Sequence, residues 1–408
     1  LNLEKFSSLV FQFYEENNLE PFSSWSNALS YIDERQGNKK LVLVIDEFPY
    51  LVKKNRALLS EFQHLIDHKL TSGKMFLILS GSYMGFMEKE VLGSNSPLFG
   101  RRTAQLHMKP FTYQTSAKFM TGFSDEEKLM LYGAYGGTPL YLQQINEKES
   151  FEENIKRTYL KVTSYLYEEA LLLLRQEVQE PGVYSAIIEA IASGYTKANE
   201  ISTKIGEDSA KCLKYIKTLC ELGILHKETP FGEKESSRKT IYGISDFMFR
   251  FWYRYVFTNR TLIETGAQQV VWEKRIKPDY CSYMGLVFEK VCMDYLNSKN
   301  ARGELPILYT SIGRWWGTNA ATHGQEEIDL IANDGKDYLF GECKWRNEKL
   351  DISVLKDLKA KADAFRINRR NSYYVLFSKS GFTEAVLNEV RSDDSILLVD
   401  LAELMTSC

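Results

Sequence analysis

No stretch of this sequence approaches the roughly twenty consecutive apolar residues that a membrane-crossing helix requires. The N-terminus also lacks a signal-like pattern, so a cytoplasmic location is the default reading. Cysteine is scarce: Cys212, Cys220, Cys281, Cys292, Cys343 and Cys408 are the only six among 408 residues, and none forms a C-x-x-C pair. That excludes a zinc ribbon or a disulfide framework and leaves reduced, mostly buried thiols. Histidine is scarcer still, with five. His64 and His68 stand one helical turn apart, but no third ligand lies nearby, so a surface or packing pair is favoured over zinc. Charge of one sign is missing too. A formal net charge of -3 gives no global pull toward nucleic acid, and any such binding must come from a local patch. Nor does the phosphate-cradling stretch G-x-x-x-x-G-K-[ST] occur; Gly73-Lys74 lacks both the upstream glycine and the Ser/Thr.

What is present reads as an ordinary soluble protein, 44% apolar and 26% charged, long enough for about three domains with separate cores. It is organised around Leu41-Val42-Leu43-Val44-Ile45-Asp46-Glu47. Five aliphatics predict a strand buried on both faces, as in a parallel sheet covered by helices. Two carboxylates then sit at the carboxyl end of that strand, where such sheets bind ligands. In a phosphoryl-transfer site Asp46 would hold the magnesium shell and Glu47 would orient or deprotonate the attacking water. A plain strand followed by a polar loop is the alternative. Met75 to Leu79 predicts a second buried strand, ending in Ser80-Gly81-Ser82. Ser80 is placed there to touch a γ-phosphate or the water. Between the strands, Phe62, Leu65, Ile66 and Lys69-Leu70 keep helical spacing.

The run Val44-Ile45-Asp46-Glu47-Phe48-Pro49-Tyr50, followed by Leu79-Ser80-Gly81-Ser82, Ser96 to Thr103 and Gly136-Gly137-Thr138-Pro139, resembles the archaeal-type AAA+/STAND ATPases. The resemblance covers nearly the whole chain and rests on the order of the motifs. It implies a P-loop ATPase core over residues 1–110, a helical lid over 111–180, a winged helix over 181–250, a connecting helix over 251–280 and a restriction-endonuclease-like domain over 281–408. It implies ATP and Mg2+ as cofactors. The missing phosphate loop departs from the family's pattern, and the chain begins at Leu1. The expectation is an N-terminal piece absent from this sequence; a chain natively without the loop, and so a dead ATPase, is the other option. Arg101 or Arg102 would reach the γ-phosphate as an arginine finger, unless these are solvated or carboxylate-paired arginines.

Along the chain, Leu3 to Phe13 and Trp25 to Ile32 predict two helices packing on the sheet. Glu88 to Phe99 reads as a polar loop, and Leu106 to Pro110 as the last core strand. Helical patterning runs from Phe111 to Val178, broken at Gly136-Gly137-Thr138-Pro139, which is either a lid element or an inter-helix turn. Residues 181 to 250 predict three helices, the third capped by Asp208 with Leu213, Ile216, Leu219 and Leu222 facing inward. A strand pair from Ile224 to Ile244 encloses the polar Gly232 to Lys239. That succession is a winged helix. Its third helix would read DNA through Lys211, Lys214 and Lys217; a solvated face or a protein joint are the alternatives. Phe247 to Trp272, rich in aromatics, predicts a buried connecting helix.

From Cys281 the pattern changes again. Met284, Val287, Phe288, Val291, Cys292, Tyr295 and Leu296 keep helical spacing with Glu289 on the flank. Asp334-Gly335 between Glu327 to Ala332 and Tyr338 to Lys344 signals a hairpin. With a two-residue turn, Asn333 faces Lys336, Asp329 faces Phe340, and Asp329, Glu342 and Lys344 share one face. Asp followed by Glu-x-Lys on paired strands, with a glutamate on the preceding helix, is the pattern of PD-(D/E)xK nucleases. Asp329, Glu342 and Glu289 would bind magnesium, and Lys344 would activate water or stabilise the charge of the transition state. A cross-strand ion pair is the competing explanation. Arg314, Trp315 and Trp316 would meet a backbone and a base, or serve as core.

The reading is therefore an α/β multidomain chain: an ATPase with a P-loop-type parallel sheet, incomplete at its N-terminus, coupled to a DNA-binding winged helix and a metal-dependent nuclease-like domain. ATP and DNA are the expected partners, no membrane is involved, and a homo-oligomer is compatible. The alternative is a non-catalytic DNA-binding or protein-interaction regulator with a degenerate nuclease fold.

Overall fold

The computed structural model describes residues 2–17, 19–37, 39–68, 75–82, 84–318, 323–365 and 369–406. Lys69-Leu70, Gly73-Lys74 and Cys408 lie outside the described residues. The fold is mixed α/β and divides into two compact units, Leu1–Met108 and Lys109–Cys408. None of its helices is long and apolar enough to cross a membrane among the described residues.

In the first unit β1 (Leu41–Ile45) and β2 (Met75–Leu79) pair in parallel. Parallel neighbours need a crossover, here containing the helices Phe48–Lys54 and Ala57–His68. The expected burial on both faces is corrected. Val42 and Val44 are 61% and 55% exposed, and Phe76 is exposed beside them. The described helices all draw on the other side, where Leu41, Leu43 and Ile45 meet Val10, Trp25, Leu29, Phe62 and Leu65. Leu106 to Pro110 is not a strand: it is irregular, and Leu106 is 83% exposed. Part of the expected loop after Glu88 is a helical turn, Met87–Val91, held by buried Val91.

In the second unit, Gly136-Gly137-Thr138-Pro139 separates the helices Asp125–Tyr135 and Pro139–Leu142. A Cβ on Gly137 would stand 2.0 Å from the carbonyl oxygen of Phe111, whose N–H donates to the Gly137 carbonyl at 2.8 Å. Close packing of two backbones therefore demands this glycine. Gly137→Ala is expected to cost at least about 2 kcal/mol, read as a lowered thermal midpoint; an unchanged midpoint would show that the backbone contact relaxes freely.

The helices Pro181–Ala192, Ala198–Ile205 and Ser209–Glu221 lead into the antiparallel pair β3 (Leu225–Glu228) and β4 (Ile241–Ile244). Asp208 caps the third helix by accepting from the Ala210 and Lys211 N–H groups at 2.9 and 3.0 Å. Leu213 does not face inward: it is 43% exposed, because the buried stripe runs through Cys212, Tyr215, Ile216 and Leu219. The single connecting helix expected from Phe247 to Trp272 is a chain of short pieces, Phe247–Phe251, a π-helical turn Trp252–Val256, a 3-10 turn Phe257–Asn259, Arg260–Glu264 and Gln268–Val271. Its aromatics other than the partly exposed Phe257 are buried, and the Trp252 indole donates to the Tyr167 carbonyl at 2.8 Å.

A five-stranded sheet closes the unit, in the order β5 (Ser311–Thr318), β6 (Gln325–Asn333), β7 (Tyr338–Lys344), β8 (Ser372–Ser378), β9 (Ile396–Asp400). The first three strands are antiparallel and the last three parallel. The helix Tyr280–Ala301 packs on the face of Leu330, Leu339 and Val375. The helices Ile352–Ala364 and Glu384–Ser392 pack on the face of Tyr338, Phe340 and Leu376. β5 holds Arg314, Trp315 and Trp316, and the Arg314 carbonyl accepts the Phe231 N–H at 2.7 Å, tying the β3–β4 loop to the sheet.

The hairpin register differs from the expected one by two residues: Asn333 lies opposite Tyr338, and Leu330 opposite Gly341. The turn is longer because Asp334 Oδ1 accepts from the N–H groups of Lys336 and Asp337 at 2.9 and 2.8 Å, the side-chain turn typical of aspartate. The pairing with β7 ends at Leu330, where a bulge leaves Asp329 and Leu330 of β6 opposite Arg314 of β5; Phe340 lies opposite Ile331, not Asp329. A shift of two keeps residues 330–333 on their expected faces, and beyond the bulge Asp329 is placed by its contacts with the Cys343 N–H and Lys344.

Candidate active sites

At the first site the two strand ends interlock. Ser80 donates its N–H to the Ile45 carbonyl at 3.0 Å and accepts from the Phe48 N–H at 2.9 Å. A Cβ on Gly81 would lie 2.5 Å from Pro49 Cδ, so only glycine lets the Phe48-Pro49 turn close. The Ser80 hydroxyl donates to Asp46 Oδ1 at 2.7 Å, and the Glu47 N–H donates to the same oxygen at 2.9 Å. These bonds hold the Asp46 carboxyl below its ordinary range, so it is ionised at neutral pH. Glu47 sits in the left-handed region with φ 50°, uncommon for a side chain of its size. Its Oε2 is buried without a hydrogen-bond partner among the described residues. A left-handed backbone under a buried carboxylate oxygen is costly, and such strain clusters at functional sites. Arg101 spends both its Nε and Nη2 on Asp67, at 2.7 and 2.8 Å, and Arg102 bonds to Gln105. Neither arginine joins the Asp46, Glu47 and Ser80 group in this arrangement.

At the second site β6 and β7 bring Asp329, Glu342 and Lys344 together. Asp329 and Glu342 are only 8% and 5% exposed. Asp329 Oδ2 accepts the Cys343 N–H at 2.8 Å and lies 3.8 Å from Lys344 Nζ, which also pairs with Glu342. Burial, reinforced by the charge of Glu342, pushes the Asp329 carboxyl up to about 6. Lys361, from the Ile352–Ala364 helix, adds a second ammonium to Glu342. Glu289 enters from the Tyr280–Ala301 helix on the other face, and its Oε2 stands 3.4 Å from Arg314 Nε without the alignment of a hydrogen bond. Burial raises its carboxyl to about 8. Arg314 also pairs with Glu228 of β3 at 3.3 Å and with Glu327 of β6. One guanidinium therefore faces three carboxylates from three elements. The donors are hard oxygens suited to magnesium, yet among the described residues no three Asp, Glu, His or Cys side chains converge as a metal-holding group.

The lysines proposed to meet DNA project from the Ser209–Glu221 helix. Lys211 pairs with Glu207 at 3.3 Å and Lys217 with Glu221 at 3.9 Å, both one turn apart and exposed. Lys214 makes no ion pair among the described residues and is exposed. Beside them a cavity of about 510 Å³ opens between the helices and the hairpin, lined by Lys197, Asn199, Leu213, Lys227, Arg238 and Tyr242.

Comparison with known proteins decides what this chain is. Residues 3–145 match the model of an ATPase domain predominantly from Archaea, and residues 252–360 match a family described as archaeal and bacterial proteins of unknown function. The uncharacterized protein MJECL04 of Methanocaldococcus jannaschii is 35% identical over 369 residues, 90% of this chain and 80% of that protein. The chain belongs to the archaeal-type ATPase family. A second protein of that organism, the uncharacterized MJ0424, is 42% identical over 52 residues, 13% of this chain and half of its own length. The crystal structure of protein VC1899 from Vibrio cholerae aligns over 94% of this chain and 92% of its own at 10% identity, but its TM-score of 0.23 carries no argument.

Within this archaeal-type ATPase, sequence reasoning missed Lys361 and the role of Arg314. Lys361 lies 19 positions from its partner, and no local pattern links a helical lysine to a strand glutamate. Arg314 offered a weak signal, a single cation just before two tryptophans of an edge strand, but its partners Glu228 and Glu289 are set by tertiary packing.

Proposed function

We propose that this ATPase hydrolyses ATP at the Asp46, Glu47 and Ser80 group and couples the nucleotide state to a winged helix over 181–250 that binds DNA and to a nuclease-like module over 281–408. Residues 1–110 would form the ATPase core, 111–180 its lid and 251–280 the connector. The observation that carries the reading is Glu47, strained at φ 50° with a buried carboxylate oxygen that has no partner among the described residues, beside an ionised aspartate. When bound, magnesium neutralises the charge on the transferring phosphoryl group. Asp46 holds that ion's shell, Ser80 fixes the Asp46 rotamer and senses the phosphate edge, and Glu47 orients and deprotonates the attacking water. Arg101 and Arg102 would act only after leaving Asp67 and Gln105.

Magnesium-dependent ATP turnover by the full-length protein tests this, with Asp46→Asn expected to lower it at least about a hundredfold. Equal turnover in the variant, or no nucleotide binding by the parent, removes the reading. For DNA, the lysines of the Lys211 and Lys217 pairs are exposed and their pairing is screened by solvent, so phosphates can take these lysines over. Replacing Lys211, Lys214 and Lys217 together by alanine is expected to weaken DNA retention and to lower the salt-dependence slope by about one per lost phosphate contact. Unchanged retention would move the contact elsewhere on the chain.

At the second site, Asp329 and Glu342 would hold magnesium with help from Glu289, and Lys344 would stabilise charge at the attacked phosphate. Their oxygen chemistry and their burial at the end of a hairpin support this. Glu289 would first have to leave Arg314.

A further inference from the structure

Glu342 is a carboxylate with both oxygens already taken. Lys361 Nζ stands 3.3 Å from Oε1 and 3.2 Å from Oε2, while Lys344 shares Oε1. A divalent cation cannot use Glu342 until one of these ammonium groups moves. We propose that Lys361 is a counter-ion latch: it holds Glu342 while the metal is absent and swings outward when a divalent cation takes its place. The inference rests on the reading of Asp329 and Glu342 as metal ligands and adds a residue which that reading did not contain.

The two lysines are not equivalent. Lys344 leaves the same strand as Glu342 and spans both carboxylates, lying 3.8 Å from Asp329 Oδ2, so it stays useful beside bound metal. Lys361 comes from the covering helix, and Glu342 is its one ionic partner among the described residues. Its side chain is about a quarter exposed, and a flexible four-carbon stem lets the ammonium reach water at little cost. Asp329, by contrast, is pinned by the Cys343 N–H at 2.8 Å. Removing every cation from two neighbouring buried carboxylates would leave uncompensated charge, which is strongly destabilising. The latch supplies that charge in the metal-free chain and gives it up to the ion. Among the described residues Glu342 is turned to Lys361 and Glu289 to Arg314.

Calorimetric titration of the full-length protein with Mn2+ tests the latch. Lys361→Met is expected to bind about tenfold tighter than the parent, the gain from removing one competing charge-assisted contact of about 1.4 kcal/mol. Lys361→Arg should stay within about twofold of the parent, because it keeps both charge and reach. Lys359→Met is the control for general charge, since its ammonium pairs with Asp393 at 3.1 Å and not with Glu342. Asp329→Asn should abolish binding. Lys361→Gln replaces the methionine variant if the latter does not fold. Parent and Lys361→Met binding equally, or Lys359→Met tightening as much, overturns the latch and leaves the metal site standing. No binding by parent or variant overturns both.

Discussion

Glu47→Gln is expected to cut ATP turnover by about 10²–10⁴-fold, the usual contribution of a general base, while leaving nucleotide affinity within about twofold. The amide keeps the size and backbone preferences of the carboxylate but cannot accept the proton of the attacking water. Phosphate release and nucleotide binding, measured on the same preparation, separate these two effects. The thermal midpoint gives an independent check. The Glu47 carboxylate has a buried oxygen without a partner among the described residues, and a neutral amide there is cheaper to bury, so the variant should be at least as stable as the parent. Stability gained where activity is lost is the signature of a strained functional residue. Turnover equal to the parent's would leave the left-handed backbone at Glu47 without a chemical purpose.

The largest stability effect is expected at Arg314. Arg314→Leu leaves Glu228, Glu289 and Glu327 facing one another without their shared cation, and breaking a buried ion cluster in this way costs about 3–5 kcal/mol. The loss depends on pH. Burial holds the Glu289 carboxyl up at about 8 and that of Asp329 at about 6. Between the ordinary carboxylate range and those values the folded chain carries protons that the unfolded chain has released. By linkage the stabilisation they give is complete at acid pH and is lost as pH rises toward 8. Denaturant unfolding in chelator at pH 5, 7 and 9 should show the parent weakening across that span. The Arg314→Leu penalty should be smallest at pH 5, and Glu289→Gln should flatten the slope. A parent equally stable at pH 5 and 9 would mean that Glu289 is better solvated than its position beside Arg314 indicates.

The parts of the chain that were legible share a cause. Alternation and helical spacing are local, so the strands at Leu41 and Met75, the Tyr280 helix and the Glu-x-Lys strand could be placed from residue order alone. The grouping of Asp329, Glu342 and Lys344 was legible for a subtler reason: the turn was misjudged by two residues, an even shift that preserves the alternation as far as Leu330, and Lys344 is long enough to reach Asp329 beyond the bulge. Leu213 was misassigned because it lies on the edge of the stripe, where one residue's rotation decides between core and water. The strand β5 was not seen because Gly313, Arg314 and Gly317 interrupt its apolar pattern. Burial of β1 on both faces failed for a different reason. A run of aliphatics reports what a strand tolerates, not which neighbours arrive to cover it.

The bond from the Phe231 N–H to the Arg314 carbonyl bears on how this chain can be taken apart. Phe231 also leans on the core beneath the sheet, and Glu228 of the same hairpin supplies one of the charges on Arg314. A fragment cut at residue 281 would keep all five strands and every carboxylate of the second site. It would nevertheless bare an apolar edge and leave Arg314 with fewer partners, inviting strand-to-strand aggregation. The hairpin is a dowel set into the five-stranded sheet, and a fragment meant to keep that sheet intact has to begin before Leu225.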